Sequence, residues 1–263
     1  MNARLTFFIG LILCAGIALR AQTKTTTIEL PAEILWAGVD RPGDLFLVLK
    51  TGEVRKYNKE GVKIGSHLFN APPRLFDPLD GAQSFYYLAK GNTYGNLSSD
   101  VSSTTEHVVD PSFAIHPWLV CPALHELWIL DSTDLSIKKT KSHATAISVE
   151  TSIRTLSAKK TADYVNMREY QNYLFLLDRN AGIHMFNGLG KYVKTILEKD
   201  LNYFSFLGEE IYFIRDHQVV LMDLYTDERR KFPIPVPCRF VLLTDDRLYA
   251  VDVKKVSIFD FKP

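Results

Sequence analysis

Leu45-Phe46-Leu47-Val48-Leu49 is apolar at five consecutive positions and carries an aromatic ring near its start. The same text returns as Phe85-Tyr86-Tyr87-Leu88, Leu127-Trp128-Ile129-Leu130, Tyr173-Leu174-Phe175-Leu176-Leu177, Ile211-Tyr212-Phe213-Ile214 and Leu248-Tyr249-Ala250-Val251. The rings at Phe46, Tyr86, Trp128, Phe175, Tyr212 and Tyr249 are spaced by 40, 42, 47, 37 and 37 residues. Short apolar runs bounded by turn formers read as strands covered on both faces. A strand with one solvated face would alternate polar and apolar residues instead.

A repeat near forty residues, made of strands without helical patterning, is the signature of a β-propeller blade. Six runs predict an all-β, six-bladed β-propeller of four-stranded antiparallel blades, each sheet sandwiched between its neighbours. Inner strands are expected at Ile34-Leu35-Trp36, Arg74-Leu75-Phe76, Trp118-Leu119-Val120, Tyr164-Val165-Asn166-Met167, Tyr203-Phe204-Ser205-Phe206 and Phe240-Val241-Leu242-Leu243. Third strands alternate more, as in Val54-Arg55-Lys56-Tyr57 and Ile183-His184-Met185-Phe186, and outer ones are short, as in Val62-Lys63-Ile64. The last repeat runs out at Phe259-Asp260-Phe261 with three strands. Thr25-Thr26-Thr27-Ile28-Glu29-Leu30 is expected to supply the fourth, so that the N-terminal strand closes the last blade and no open seam remains. The polar stretch Gly95 to Thr105 is read as an extended surface loop.

The turns Tyr57-Asn58-Lys59-Glu60-Gly61 and Phe186-Asn187-Gly188-Leu189-Gly190 use residues that tolerate the positive φ of a tight hairpin. With the forty-residue beat, they make residues 25–263 resemble six-bladed propellers of the NHL and quinoprotein-like kind. The resemblance implies the fold and carries over no catalytic or cofactor residue, since a fold does not imply a function.

Residues 1–21 read as a secretory signal peptide: Arg4, an apolar run from Leu5 to Leu19, and Ala21 before polar Gln22-Thr23-Lys24. Leu13 is too bulky to precede a lipidated cysteine, so Cys14 is not expected to carry a lipid. Residues 22–263 then form a single propeller domain, periplasmic or extracellular, without a membrane span. The chain is 46% hydrophobic and 12% aromatic with a formal charge of +1, which suits a globular body and excludes nucleic acid as the main partner. Cys121 and Cys238 fall in the third and sixth blades, on opposite sides of the ring. They are expected to stay unpaired, because a disulfide needs Cα atoms within about 7 Å.

Candidate ligand-binding residues are arginines. Arg74, Arg168 and Arg239 lie beside inner strands and are expected to line the channel. Arg179 and Arg215 stand on turns after second strands, with Lys50, Lys90, Lys254 and Lys255 on the same face. Acidic residues gather at the opposite turns, among them Asp40, Asp44, Asp77, Asp80 and Glu126. Ordinary turn chemistry accounts for these better than calcium does. His107, His116, Cys121 and His125 match no zinc spacing, so no metal or other cofactor is expected. No nucleophile elbow, phosphate loop or His-Glu-x-x-His pair is present. The reading is a monomeric binding or scaffold module for a protein or cell-envelope polymer. The alternative is a propeller hydrolase or lyase acting on a sugar or lactone at the channel mouth.

Overall fold

The structure is a computed structural model that describes residues 23–78, 81–124, 126–141, 146–156 and 162–262. The predicted signal peptide and Cys14, together with Asp80 and His125, lie outside the described residues. The described residues form 24 strands in six four-stranded antiparallel sheets arranged in a ring. Among the described residues, no helix is long and apolar enough to cross a membrane.

Blade 1 holds β2 (Ile34–Val39), β3 (Leu45–Leu49), β4 (Glu53–Tyr57) and β5 (Lys63–Leu68). Blade 2 holds β6 (Leu75–Asp77), β7 (Gln83–Leu88), β8 (Thr93–Ser98) and β9 (His107–Val108). Blade 3 comprises β10 (Pro117–Pro122), β11 (Glu126–Asp131), β12 (Ser136–Lys141) and β13 (Ile147–Ser152). Blade 4 comprises β14 (Tyr164–Tyr170), β15 (Tyr173–Asp178), β16 (Gly182–Asn187) and β17 (Tyr192–Ile196). In blade 5 are β18 (Ser205–Leu207), β19 (Glu210–Arg215), β20 (Gln218–Asp223) and β21 (Arg229–Pro233). Blade 6 runs β22 (Phe240–Leu243), β23 (Arg247–Val251), β24 (Lys255–Asp260) and, outermost, β1 (Lys24–Glu29).

The ring therefore closes as the sequence predicts. Thr27 pairs with Ser257 and Ile28 with Val256 along β1 and β24. Beyond the strand, the Leu30 and Ile34 amides donate to the Lys254 and Val253 carbonyls, both at 2.8 Å. The chain passes from this seam straight into the inner strand of blade 1. One segment thus completes the last sheet and begins the first.

All six repeating rings are buried, none more than 1% exposed. In five blades the ring reaches onto the next sheet. Phe46 packs on Phe76 with centroids 5.8 Å apart, and Phe175 on Phe206 at 4.8 Å. Trp128 Nε1 donates to Glu169 Oε2 at 2.5 Å. The Leu243 amide donates to Tyr212 Oη at 3.0 Å, and Tyr249 Oη donates to the Gly43 carbonyl at 3.1 Å across the seam. From blade 2 to blade 3 the neighbouring residue takes over: Tyr87 Oη donates to the Pro117 carbonyl at 2.9 Å. Burial pushes the Tyr87 phenol up to about 12, so it stays a neutral donor at any physiological pH.

Two third-strand lysines lie over these rings. Lys56 sits 5.1 Å from the Phe46 centroid and is held by Asp44 at 3.0 Å and Asp40 at 3.7 Å. Lys139 sits 5.0 Å from Trp128, between Glu126 at 3.0 Å and Glu169 at 3.7 Å. The acidic groups at the first-to-second turns of blades 1 and 3 thus neutralise buried lysines. Charge pairing over an aromatic face is what makes a nearly buried ammonium tolerable.

Residues 95–105 differ from the expected surface loop. Gly95 to Ser98 belong to β8, and the chain folds straight back, pairing Leu97 with Thr104. A Cβ on Gly95 would lie 1.7 Å from the Thr105 carbonyl oxygen, which instead accepts from Tyr86 Oη at 2.7 Å. Asp100 ties the turn through Ser98 Oγ at 2.6 Å and the Ser102 amide at 3.1 Å, which hold its carboxyl down at about 2. Val101 adopts φ 56° and buries its side chain beside blade 1, against Gly65. The Ser/Thr text concealed two apolar anchors, Leu97 and Val101, both buried in one cluster with Phe46 and Tyr86. Polar composition marks a loop only when no side chain in it has a cavity to fill.

Several strand starts also shift by one or two residues, as where β18 begins at Ser205 rather than Tyr203, β6 at Leu75 rather than Arg74, and β5 at Lys63 rather than Val62. Cys121 is buried in the core and Cys238 half-buried, and both are unpaired, as their opposite blades require. Burial raises the Cys238 thiol to about 12.

The seam sets the first prediction. Deleting residues 23–30 removes the outer strand of blade 6 and is expected to lower the thermal midpoint sharply. Tyr249→Phe, which removes only the hydrogen bond to Gly43, is expected to cost about 1 kcal/mol in urea unfolding. An unchanged midpoint in the deletion would show that blade 6 is complete with three strands.

Candidate functional site at the channel mouth

In an up-and-down blade, the turn after the second strand and the connection between blades emerge on one face. On that face, at the axis, lies a cavity of about 790 Å³. Its cations are Arg74 from the connection into β6, Lys90 from the turn after β7, Arg179 from the turn after β15, and Arg239 immediately before β22. The three arginines thus come from alternate blades, 2, 4 and 6. Asn166 and Asn202 add amides, and Leu35, Trp36, Pro72, Pro73 and Phe240 supply apolar wall. Neither a carboxylate nor a histidine is among the described lining residues.

Each arginine is positioned differently. Arg239 Nη1 donates to Glu33 Oε1 at 3.1 Å, and its guanidinium lies 5.5 Å from the Phe240 ring centroid. Its Nη2 donates to the Ile34 carbonyl, so blade 6 grips blade 1 at the mouth. Lys50 holds the other Glu33 oxygen at 3.2 Å. Hydrogen bonds from Lys50, then Arg239, keep the Glu33 carboxyl below the usual carboxylate range. Arg179 pairs with Asp163 and donates from Nε to Asn202 Oδ1 at 2.9 Å. Arg74 makes, among the described residues, one hydrogen bond, from Nη2 to the Tyr164 carbonyl at 3.3 Å. Among the described residues, neither Arg74 nor Lys90 has a carboxylate partner.

Arg168 belongs elsewhere. It projects from β14 to Asp77 on blade 2, with Nε 3.5 Å from Oδ2, and donates from Nη1 to Ser205 Oγ on blade 5 at 3.1 Å. Arg168 and Asp77 line a crevice of only about 10 Å³ that shares Trp36 and Asn166 with the cavity above. Arg168 therefore fills the floor of the channel, bridging three blades, rather than lining open space. Arg215 is also removed from the cavity: it grips Glu198 Oε2 at 3.2 Å on the rim.

Of the five arginines singled out by the sequence, the fold brings Arg74, Arg179 and Arg239 together and gives Arg168 and Arg215 internal partners. Asn166 and Asn202 were not singled out. A polar residue inside the inner-strand text Tyr164-Val165-Asn166-Met167 was the available signal for the first. Asn202 sits in a connection that no periodicity marks. Among the described residues, no group of three metal-ligating side chains converges. His107 packs against Tyr94 at 5.5 Å on the outer edge of blade 2, and His184 is buried with Nδ1 2.8 Å from Thr195 Oγ1.

The ring, its closure and its axial cavity define the class: this chain is a six-bladed β-propeller. Neither a family profile nor a curated protein matches the sequence. Solved structures are similar in fold. BamB from Moraxella catarrhalis is 10% identical with a TM-score of 0.50, covering 91% of this chain and all of that one. The Pan2 WD40 domain of Neurospora crassa is 9% identical with a TM-score of 0.58, covering 88% of this chain and 79% of that one. The extracellular domain of the putative one component system BT4673 from B. thetaiotaomicron is 11% identical with a TM-score of 0.53, covering 86% of this chain and 33% of that one.

The channel floor gives a prediction. Arg168→Met removes the cation facing buried Asp77 and is expected to cost about 3–5 kcal/mol in chemical unfolding. Adding Asp77→Asn is expected to restore part of that loss. A double variant no more stable than the single one would place the value of Arg168 in its packing on Phe206, whose ring centroid lies 5.8 Å from the guanidinium carbon.

Proposed function

We propose that this chain is a secreted or periplasmic binding module that holds a protein or cell-envelope partner on the face carrying the channel mouth. The supporting observation is the axial cavity of about 790 Å³, open on that face and edged by arginines from blades 2, 4 and 6. Rigid inter-blade staples fix the positions of these residues, so a partner meets a preformed surface with little ordering cost. The module works as a monomer, with Arg74, Arg179 and Arg239 as its ligand-facing residues and residues 1–21 as a cleaved leader. One of the similar structures is itself an extracellular domain, which agrees with this compartment.

Two measurements check this reading. The N-terminus of the exported polypeptide is expected at Gln22; a chain still beginning at Met1 in the envelope would remove the leader from the proposal. A photo-crosslinking residue at Lys50 or Lys254, on the mouth face, is expected to trap one defined envelope partner. The same residue at Asp246 or Glu209, on the opposite face, is expected to trap none. Equal trapping from both faces, or none from either, would overturn the assignment.

A further inference from the structure

We infer that the axial cavity takes an organic anion through two or more separate carboxylates, each received by a different blade. This rests on the mouth face being the binding face. The cavity concentrates four cations, and two of them are already balanced: Asp163 faces Arg179 and Glu33 faces Arg239. Those pairs fix the direction of each guanidinium without exhausting its five N–H donors. Arg74 and Lys90 on blade 2 are the uncompensated charges, since Arg74 spends one N–H on the Tyr164 carbonyl and Lys90 has no ion-pair partner among the described residues. A concave site with low-dielectric walls focuses this excess charge on whatever enters it.

The distribution of the cations selects carboxylates over phosphate. Guanidinium forks match both groups, but a phosphate is one compact, multiply charged centre and is best held by donors converging on a point. Here the arginines stand on alternate blades around an axis, which suits charges spread over the periphery of one body. Trp36 and Phe240 in the wall would cover an apolar or ring-like body between those charges. The volume falls within the range of ordinary small-molecule pockets, roughly 300–1,000 Å³. The same carboxylates could come from a free polycarboxylic acid or from acidic side chains of a partner's loop.

Calorimetric titration of the full chain separates these sources, using tricarballylate, a Glu-rich hexapeptide, the matching Gln-rich hexapeptide and inorganic phosphate as probes. Saturable binding of tricarballylate or of the Glu peptide is expected, weakening with salt. Arg74→Gln and Lys90→Gln should each reduce it by about tenfold or more, while Arg215→Gln leaves it unchanged. Tricarballylate alone binding would identify a free acid as the source, and the Glu peptide alone a partner loop. Phosphate binding as tightly as tricarballylate, equal binding of the Gln peptide, or no saturable binding of either carboxylate probe would overturn the inference. Circular dichroism of the two blade-2 variants confirms folding, because both side chains are exposed. Failure of the carboxylate probes alongside partner trapping at Lys50 would refute this ligand class and leave the mouth-face reading standing.

Discussion

The structure depends on one interaction repeated around a circle: a buried aromatic group on the second strand of a blade, or beside it, engages the next blade. Sheets that are apolar on both faces cannot stand alone in water, and stacking them radially is one of few ways to cover both. Apolar stacking is non-directional, however, and would not by itself fix the register between blades. Trp128 on Glu169, Tyr212 under the Leu243 amide, and Tyr249 on the Gly43 carbonyl add direction at three of the six interfaces. Tyr87 on the Pro117 carbonyl does so at a fourth. At the remaining two, Phe46 and Phe175 engage the next blade by ring packing, and direction comes from other side chains: Lys56 donates to the Ser99 carbonyl and Tyr170 to the Gly208 carbonyl.

Rigidity at the perimeter has a consequence at the axis. Inner strands of six blades meet there without filling the space, and polar groups must settle what the apolar sheets leave open. At the floor, Arg168 spans blades 2, 4 and 5 through Asp77 and Ser205 and closes the channel. At the mouth, Arg239 ties blade 6 to blade 1 while Arg179 stays within its own face of blade 4 and the next connection. Of the three mouth arginines, Arg74 has the fewest ties among the described residues, and its charge, with that of Lys90, is accordingly the most available. Arginines that look alike in sequence thus divide by place: Arg168 and Arg215 lie off the cavity on Asp77 and Glu198, whereas Arg74, Arg179 and Arg239 line it, the last two while also holding Asp163 and Glu33.

Much of the architecture was legible because a strand buried on both faces writes a continuous apolar run, and few folds can bury six such runs at one spacing. The seam was legible for a related reason: the last repeat lacked a strand and the N-terminal segment Thr25 to Leu30 had the text of one. The stretch from Gly95 to Thr105 was not legible. Its composition was that of a solvated loop, while its structure turns on a buried leucine and a buried valine, one carboxylate capping its own turn, and a glycine that lets two backbones touch. Such features depend on what the neighbouring blade presents, and no local propensity records that.

The sequence alone determined the strand order, the number of blades, the closure by the N-terminal strand and the unpaired state of Cys121 and Cys238, because each follows from periodicity or from position around a ring. Only the tertiary structure decided which arginines face open space. Arg74, Arg179 and Arg239 are 60 or more residues apart in the chain and share a cavity because blades 2, 4 and 6 converge on one axis. Arg168 lies only eleven positions from Arg179 yet turns inward, because Asp77 waits across the channel. Charge in a sequence has sign and spacing; its partner is assigned by the fold.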